Sequence, residues 1–206
     1  MKFGVLGTGM VGDAIGSKLV ALRHEVMMGS RSATHPNATA WAARAGARAR
    51  TGTFTDAARF GEALFNCTNG AHSLEALRQA GADNLSEKVL IDVANVLRPD
   101  AVGPESLGEQ IQTAFPRAKV VKALNTMNCE IMVAPSRVRE PHTVFVCGND
   151  AGAKDVVRQL LESFGWQDIM DVGDIAAARA TEGYLPLWLA LWKRLGTPHF
   201  NIRVVR

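Results

Sequence analysis

Three glycines near the start of the chain, Gly7, Gly9 and Gly12, stand in the spacing GxGxxG within Gly7-Thr8-Gly9-Met10-Val11-Gly12. The chemistry this spacing serves is anion binding by the backbone. Gly7 permits a tight turn, Gly9 lets the main chain approach a pyrophosphate, and Gly12 lets a helix pack against a strand. A helix that begins there presents its unpaired N–H groups to the anion. With Thr8, Met10 and Val11 the glycines form the expected dinucleotide loop. A second set follows at Gly29-Ser30-Arg31-Ser32. A site for NAD would place Asp or Glu at this point, to bond the adenosine 2′-hydroxyl. Here a hydroxyl and a planar guanidinium stand instead, which suits a 2′-phosphate through charge-assisted hydrogen bonds. Glu25 is the nearby acid, at the start of the strand and expected to face away. The expected cofactor is therefore NADP(H). His35 and Asn37 line the loop that follows, where Pro36-Asn37 reads as turn and helix-start chemistry.

A third set is Leu124-Asn125-Thr126-Met127-Asn128, two side-chain amides and a hydroxyl directly after an apolar strand. Asn125, Thr126 and Asn128 are the candidate catalytic groups, placed to hold the nicotinamide carboxamide or a carbonyl of a second ring. Leu124, Thr68, Asn69 and Asn95 also end strands and join the cofactor-binding set. A carbonyl reductase needs a proton donor, usually Tyr, His or Lys. Tyr184 is the single tyrosine and lies near the C-terminal end, His72 follows a strand, and Lys122 sits inside one, where a lysine is more often structural. The missing acid points to an acceptor that takes hydride without a protein proton, such as a flavin-like ring, held by positioning and stacking. Two other readings are an NADPH-dependent reductase of a small carbonyl or imine, with His72 or Tyr184 as acid, and a non-catalytic NADP(H)-sensing module.

These groups need a scaffold that gathers strand ends. Apolar strand-like segments alternate with helix-like ones throughout, the pattern of a doubly wound, mostly parallel α/β sheet of Rossmann type. Strands are expected at the start of the chain and near residues 24–28, 47–50, 62–67, 88–93, 119–124 and 143–147. Val11, Ile15, Leu19 and Leu22 mark the inner face of the first helix. Further helices are expected over 37–45, 55–59 (capped by Thr55 or Asp56), 73–80 and 150–164, with a proline-rich loop from 95 to 107 and a short helix through Ala114. From Asp174 to Leu195 the pattern is helical, with Pro186 kinking it or starting a second helix; residues 200–205 read as a short strand or extended tail. We expect an NADP-binding Rossmann domain over 1–150. A C-terminal helical segment and tail over 151–206 would complete the substrate pocket or form a homodimer face.

Composition bounds the rest. The chain has 206 residues, 47% hydrophobic and 21% charged, with a net charge of +3. That is ordinary for a globular α/β domain. Arg44, Arg48 and Arg50 form the one basic cluster, read as a solvated helix end, and without aromatic-basic interleaving no nucleic-acid partner is expected. Cys67, Cys129 and Cys147 show no CxxC spacing, so they read as buried small residues in a reducing compartment rather than metal ligands. No apolar run reaches membrane-span length. The expectation is a cytoplasmic enzyme, a homodimer, with a small-molecule electron acceptor as partner.

The chain resembles the NADPH-dependent reductases of coenzyme F420, the 8-hydroxy-5-deazaflavin hydride carrier, and related dinucleotide-binding enzymes. The resemblance runs nearly end to end, through Gly7 to Gly12, Gly29-Ser30-Arg31, Val121-Lys122-Ala123-Leu124-Asn125-Thr126, Val146-Cys147-Gly148-Asn149-Asp150 and Leu185-Pro186-Leu187-Trp188. The cytoplasmic domains of six-transmembrane ferric reductases share a similar Lys-Ala-(hydrophobic)-Asn-Thr segment. The resemblance implies a dimeric Rossmann domain with a helical addition, NADPH on the glycine loop, and Ser30 and Arg31 on its 2′-phosphate. It also implies coenzyme F420 or a flavin as co-substrate near Asn125 to Asn128, with hydride passing between nicotinamide C4 and deazaflavin C5. Three segments depart from the family pattern. Asn125-Thr126-Met127-Asn128 replaces His-Thr-Ile-Pro, Thr68-Asn69-Gly70 replaces Ile-Pro-Trp, and Gly196-Thr197-Pro198-His199-Phe200 replaces a glycine-rich end. All three fall in the second substrate's pocket.

Overall fold

The computed structural model describes residues 1–96 and 105–205, so most of the expected 95–107 loop lies outside the described residues. Eight strands form one sheet, β1 (Lys2–Leu6), β2 (Glu25–Ser30), β3 (Ala49–Thr53), β4 (Ala63–Asn66), β5 (Val89–Asp92), β6 (Lys119–Ala123), β7 (Thr143–Gly148) and β8 (Asp168–Asp171). Their order is β3-β2-β1-β4-β5-β6-β7-β8. All neighbours are parallel except β6 and β7, which run antiparallel through Val121↔Gly148, Lys122↔Cys147 and Ala123↔Val146. The chain moves outward from β1 to β3, then returns to place β4 on the other side of β1. The topological switch therefore falls between β1 and β4, and a crevice opens beyond their carboxyl ends. The Rossmann-type reading of the sequence holds.

Ten helices are described: α1 (Met10–Ala21), α2 (Pro36–Ala45), α3 (Phe54–Phe60), α4 (Ser73–Ala80), α5 (Ala82–Leu85), α6 (Leu107–Ala114), α7 (Cys129–Val133), α8 (Ala151–Phe164), α9 (Ala178–Gly183) and α10 (Leu185–Leu195). Strand residues alternate between two cores. Phe3, Phe65, Ile91 and Val121 meet Ile15 and Leu19 of α1, Trp41 of α2 and Leu161 of α8 on one face. Leu64, Leu90 and Val120 meet Ala57 of α3, Leu77 of α4, Ile111 of α6 and Ala178 of α9 on the other. Burial on both faces explains why the inner strands read as nearly unbroken apolar runs.

Several expectations shift in detail. The third strand begins and ends later than 47–50, and α3 is capped by Thr53 rather than by Thr55 or Asp56. Pro186 starts α10 rather than kinking one long helix. Past residue 150, α8 packs on the sheet and β8 extends it, and the segment added after the sheet, from Asp174 on, carries α9 and α10. Among the described residues no helix is long and apolar enough to cross a membrane.

Candidate functional site

The site starts at the sharp exit from β1. Gly7 takes φ +117°, and a Cβ there would stand 2.6 Å from the Cys67 carbonyl oxygen. That combination of left-handed backbone and close approach to the β4 loop requires glycine. The Gly7 N–H donates to the Gly29 carbonyl at 3.0 Å, tying the turn to β2. At Gly12 a Cβ would meet the Gly7 carbonyl oxygen at 2.1 Å, so α1 can lie against the turn only without a side chain. Gly9 differs: a Cβ there would meet no protein atom within 4 Å. Gly9 caps α1 through an extended backbone and offers no side-chain acceptor, which leaves the first N–H groups of α1 pointing at open space. This cradle fits a pyrophosphate, as the sequence spacing predicts.

From the cradle a cavity of about 410 Å³ runs over the end of β2, lined there by Ser30, Arg31 and His35. Arg31 is exposed and has no ion-pair partner among the described residues. Ser30 is buried, and its hydroxyl donates to the Ser32 carbonyl (2.6 Å) while accepting from the Ser32 N–H (3.2 Å). Its donor is spent on shaping the turn that presents Arg31. His35 precedes α2, and its buried Nδ1 has no partner among the described residues; this residue belongs with Arg31 more closely than the turn reading of Pro36-Asn37 suggests. Glu25 sits at the opposite end of β2, accepting from Arg50 at 3.4 Å. Among the described residues, the carboxylate that lines this cavity is Glu75 of α4, while the end of β2 contributes Ser30 and Arg31. Arg44 pairs with Asp13 at 2.5 Å on the surface, in line with the solvated reading of the basic cluster.

A second cavity, of about 330 Å³, continues from the first across Gly9, Cys67, Thr68 and Asn69. Met10 and Val11 line it from α1, Asn95 from the β5 loop, Asn125 and Asn128 from the β6 loop, and Trp188 and Trp192 from α10. The amides of the two loops hold each other. Asn95 Nδ2 donates to the Asn125 carbonyl at 2.6 Å, and Asn125 Nδ2 donates to Asn95 Oδ1 at 3.1 Å. Asn128 Oδ1 accepts from the Glu130 N–H at 2.9 Å and so caps α7, a short helix the sequence reading does not contain. Asn69 likewise caps the turn at Gly70–His72 through the Ala71 N–H. Two expected site residues lie elsewhere. Leu124 and Thr126 are 1% and 3% exposed and line neither cavity. Leu124 adopts φ +63°, a costly conformation for a bulky side chain. It reverses the chain so that Asn125, not its neighbours on either side, faces the crevice. His72 lines the adenosine-side cavity and is absent from the lining of the second.

Sequence reading misses the network beneath these loops. Lys122 Nζ lies 2.8 Å from Asp92 Oδ2, 2.8 Å from Glu182 Oε1 and 2.5 Å from the Ala94 carbonyl. Asp92 also accepts from Asn66 Nδ2 at 2.8 Å, and Asn66 Oδ1 accepts from the Thr68 hydroxyl at 2.7 Å. Burial pushes the Lys122 ammonium down, but the Asp92 and Glu182 carboxylates beside it outweigh that and hold it above the usual lysine range. The Cys67 thiol is pushed far up by burial, with the Asp92 charge adding to it, so it stays neutral. Cys147 rises to about 12, chiefly through burial. The three cysteines are unpaired.

A family model described as NADP oxidoreductase, coenzyme F420-dependent, matches residues 2–96, the stretch that holds the glycine turn and Ser30-Arg31. The crystal structure of a candidate F420-dependent NADP-reductase from Arthrobacter sp. FB24 is 44% identical, with a TM-score of 0.93 over 100% of both chains. Metalloreductase STEAP3 of Rattus norvegicus is 30% identical over 196 residues, which cover 93% of this chain and 38% of the metalloreductase. Metalloreductase STEAP2 of Homo sapiens is 32% identical over 108 residues, 52% of this chain and 21% of its own. This chain thus spans well under half the length of these curated relatives. An imine reductase from Streptomyces aurantiacus shares the fold at a TM-score of 0.69 and 18% identity, covering 95% of this chain and 62% of that one. With the glycine cradle, an Arg31 unpaired among the described residues and a full-length match at this identity, the chain belongs to the coenzyme F420-dependent NADP oxidoreductase family.

Proposed function

We propose that this enzyme passes hydride between NADPH and a planar deazaflavin or flavin-like ring. The observation that carries the reading is the chemistry of the second cavity. Its described lining is amides, thioethers, indoles, aliphatic side chains and the thiols of Cys67 and Cys129, with the Thr68 hydroxyl already bonded to Asn66, and among the described residues it holds no histidine, lysine or tyrosine. Cys129, the thiol on this wall with partial exposure, has its pKa raised by burial and by the neighbouring Glu130. Such a wall can stack and orient a ring but does not deliver a proton, which favours an acceptor that needs none from the protein. Bound NADPH supplies the hydride from its nicotinamide ring. Gly7, Thr8 and Gly9 with the α1 N-terminus would hold its pyrophosphate, and Arg31, on the turn shaped by Ser30, its 2′-phosphate. Thr68, Asn69 and Asn95 would border the nicotinamide half, with Asn125 and Asn128 facing the acceptor.

The carbonyl or imine alternative requires His72 or Tyr184 at this wall. His72 lies with the adenosine side, and burial raises the Tyr184 phenol further from neutrality. For the relatives named metalloreductases electrons end on a metal; for this shorter chain we propose only the NADPH-to-ring step. We further propose a cytoplasmic homodimer formed through α10, whose Leu187, Trp192 and Leu195 are 55%, 43% and 54% exposed. Sedimentation would test it, a monomer at micromolar concentration counting against it. The functional test is NADPH oxidation by the purified protein with deazaflavin, FMN, FAD and a quinone in parallel, and NADH as control. Turnover with a ring acceptor and NADPH is the expected result. Turnover only with an imine or ketone, or none with tight NADPH binding, would overturn it.

A further inference from the structure

The buried charges beneath the crevice have no task in hydride transfer, yet they join the parts of the molecule that enclose it. Lys122 is 1% exposed in the middle of an apolar strand, and its two carboxylate partners come from opposite directions. Asp92 belongs to β5, inside the sheet. Glu182 belongs to α9, in the segment added after the sheet. Glu182 also accepts from the N–H groups of Leu107 (2.8 Å) and Gly108 (3.0 Å), the first residues of α6. The surplus negative charge of two carboxylates on one ammonium is thereby met by a helix N-terminus. Gly108 lets α9 come close, since a Cβ there would stand 2.9 Å from Ala178 Cβ.

α10 follows α9 after Tyr184 and carries Trp188 and Trp192, the aromatic wall of the second cavity. No residue of α10 is fully buried. Its own packing therefore fixes its place weakly. Trp188 stacks on Phe200 at 5.6 Å between ring centres, a contact within the same added segment. Beside the apolar seat of Ala178 against α6 and the Arg179–Glu109 ion pair at 2.9 Å, Glu182 ties that segment to the Lys122–Asp92 pair under the crevice. A buried ion pair of this kind contributes little to stability compared with apolar residues of equal volume, but it is strict about geometry. We infer that Glu182 is a positioning residue for the acceptor cavity: held between the Lys122 ammonium and the α6 N-terminus, it fixes α9 and so sets where the tryptophans of α10 stand over the crevice. On the reading that this cavity takes the acceptor ring, it sets how well that ring is bound, without touching it.

The test is Glu182→Gln in the full chain, with Glu182→Asp beside it. In Glu182→Gln the ammonium remains paired with Asp92, so no buried charge is stranded and folding is expected to survive. Hydrogen exchange at the amides of 185–195 should quicken, while exchange over 25–53, around the 2′-phosphate end, stays as in the parent. The acceptor KM should rise about fivefold or more while kcat and the NADPH Kd stay within about twofold, the pattern of lost uniform binding. Glu182→Asp, which keeps the charge, should lie between the two. Unchanged exchange in α10, or an acceptor KM that moves no more than the NADPH Kd, would overturn the assignment. So would a chain that no longer folds, since Glu182 would then serve the fold as a whole. If no ring acceptor is reduced, the proposed reaction falls, and the exchange result alone still decides the role of Glu182.

Discussion

At the scale of single residues, Gly9 and Gly12 make separable predictions although they belong to one turn. A methyl at Gly12 would collide with the Gly7 carbonyl oxygen, so Gly12→Ala must push α1 off the turn and lower stability as well as cofactor binding. A methyl at Gly9 meets nothing in the protein, so Gly9→Ala should melt like the parent while NADPH binding falls, because the methyl occupies the space above the α1 N-terminus. Thermal melts paired with NADPH titration separate the two, and equal melting losses would contradict this account of the turn. Arg31, exposed and without an ion-pair partner among the described residues, is predicted to act on the 2′-phosphate alone. Arg31→Ala should weaken NADPH binding by roughly 1.5–3 kcal/mol, the worth of a hydrogen bond to a charged group, and leave NADH binding unchanged. Titration calorimetry with both cofactors checks it. These residues were legible in the sequence because each works through its neighbours in the chain. Glu182 was not, because nothing near it in the chain announces a lysine buried in a distant strand. The Asn125 segment was half legible: its place at a strand end is local information. Which of its side chains faces the crevice is decided by the left-handed Leu124, which composition does not reveal.

At the scale of elements, caps decide where the helices that frame the crevice begin. Thr53 Oγ1 accepts from the Asp56 N–H at 3.1 Å, and the Asp56 carboxylate accepts from the Thr53 N–H at 2.9 Å. The reciprocal cap starts α3 directly from β3, so Thr53→Ala should cost about 0.5–2 kcal/mol in a denaturant melt. The Thr53 hydroxyl and N–H hold the Asp56 carboxyl below its ordinary range. A carboxylate depressed in the folded state contributes stability above the ordinary carboxylate range and loses it as pH falls through the depressed value. Asp56→Asn should therefore be less stable than the parent at neutral pH, with the gap closing in acid; a gap that persists at low pH would rule out the cap as its source. Sequence reading found the helix but placed the cap too late, because Thr55 and Asp56 are also capping residue types and only the ladder to β2 shows that the strand runs on to Thr53. α7 and β8 escaped for a different reason. Five and four residues long, they are too short to show a period. The antiparallel turn of β7 was invisible as well, since strand direction leaves no mark on the alternation of side chains.

At the scale of the whole molecule, the added C-terminal segment returns to the sheet and closes its far side around a buried histidine. Asn201 Nδ2 donates to His142 Nδ1 at 2.8 Å and to the Thr143 carbonyl at 3.0 Å. With Nδ1 accepting, His142 Nε2 carries the proton and donates to the Pro135 carbonyl at 2.9 Å. His142 also meets Trp166 edge to face at 4.8 Å, and the Trp166 indole N–H donates to the carbonyl of Met132 at 3.0 Å. Met132 lines the second cavity. One residue before Asn201, Phe200 stacks on Trp188 of the opposite wall. Asn201 thus stands where the tail joins both walls of that cavity to the first residues of β7, a convergence that no local pattern contains and that the expected short strand or extended tail only sketched. Asn201→Ala would leave His142 Nδ1 buried without a donor, at a cost of about 1–3 kcal/mol. The denaturant midpoint should fall by that amount with the slope unchanged, since the surface exposed on unfolding is nearly the same. NADPH affinity should hold, because the cradle and Arg31 rest on β1, β2 and β4 at the other end of the crevice, while the acceptor KM rises with the loosened Phe200–Trp188 stack. A fall in NADPH affinity equal to the change in acceptor KM would mean that the crevice responds as one body. The division into a rigid cofactor half and an acceptor half framed by the added segment would then be wrong.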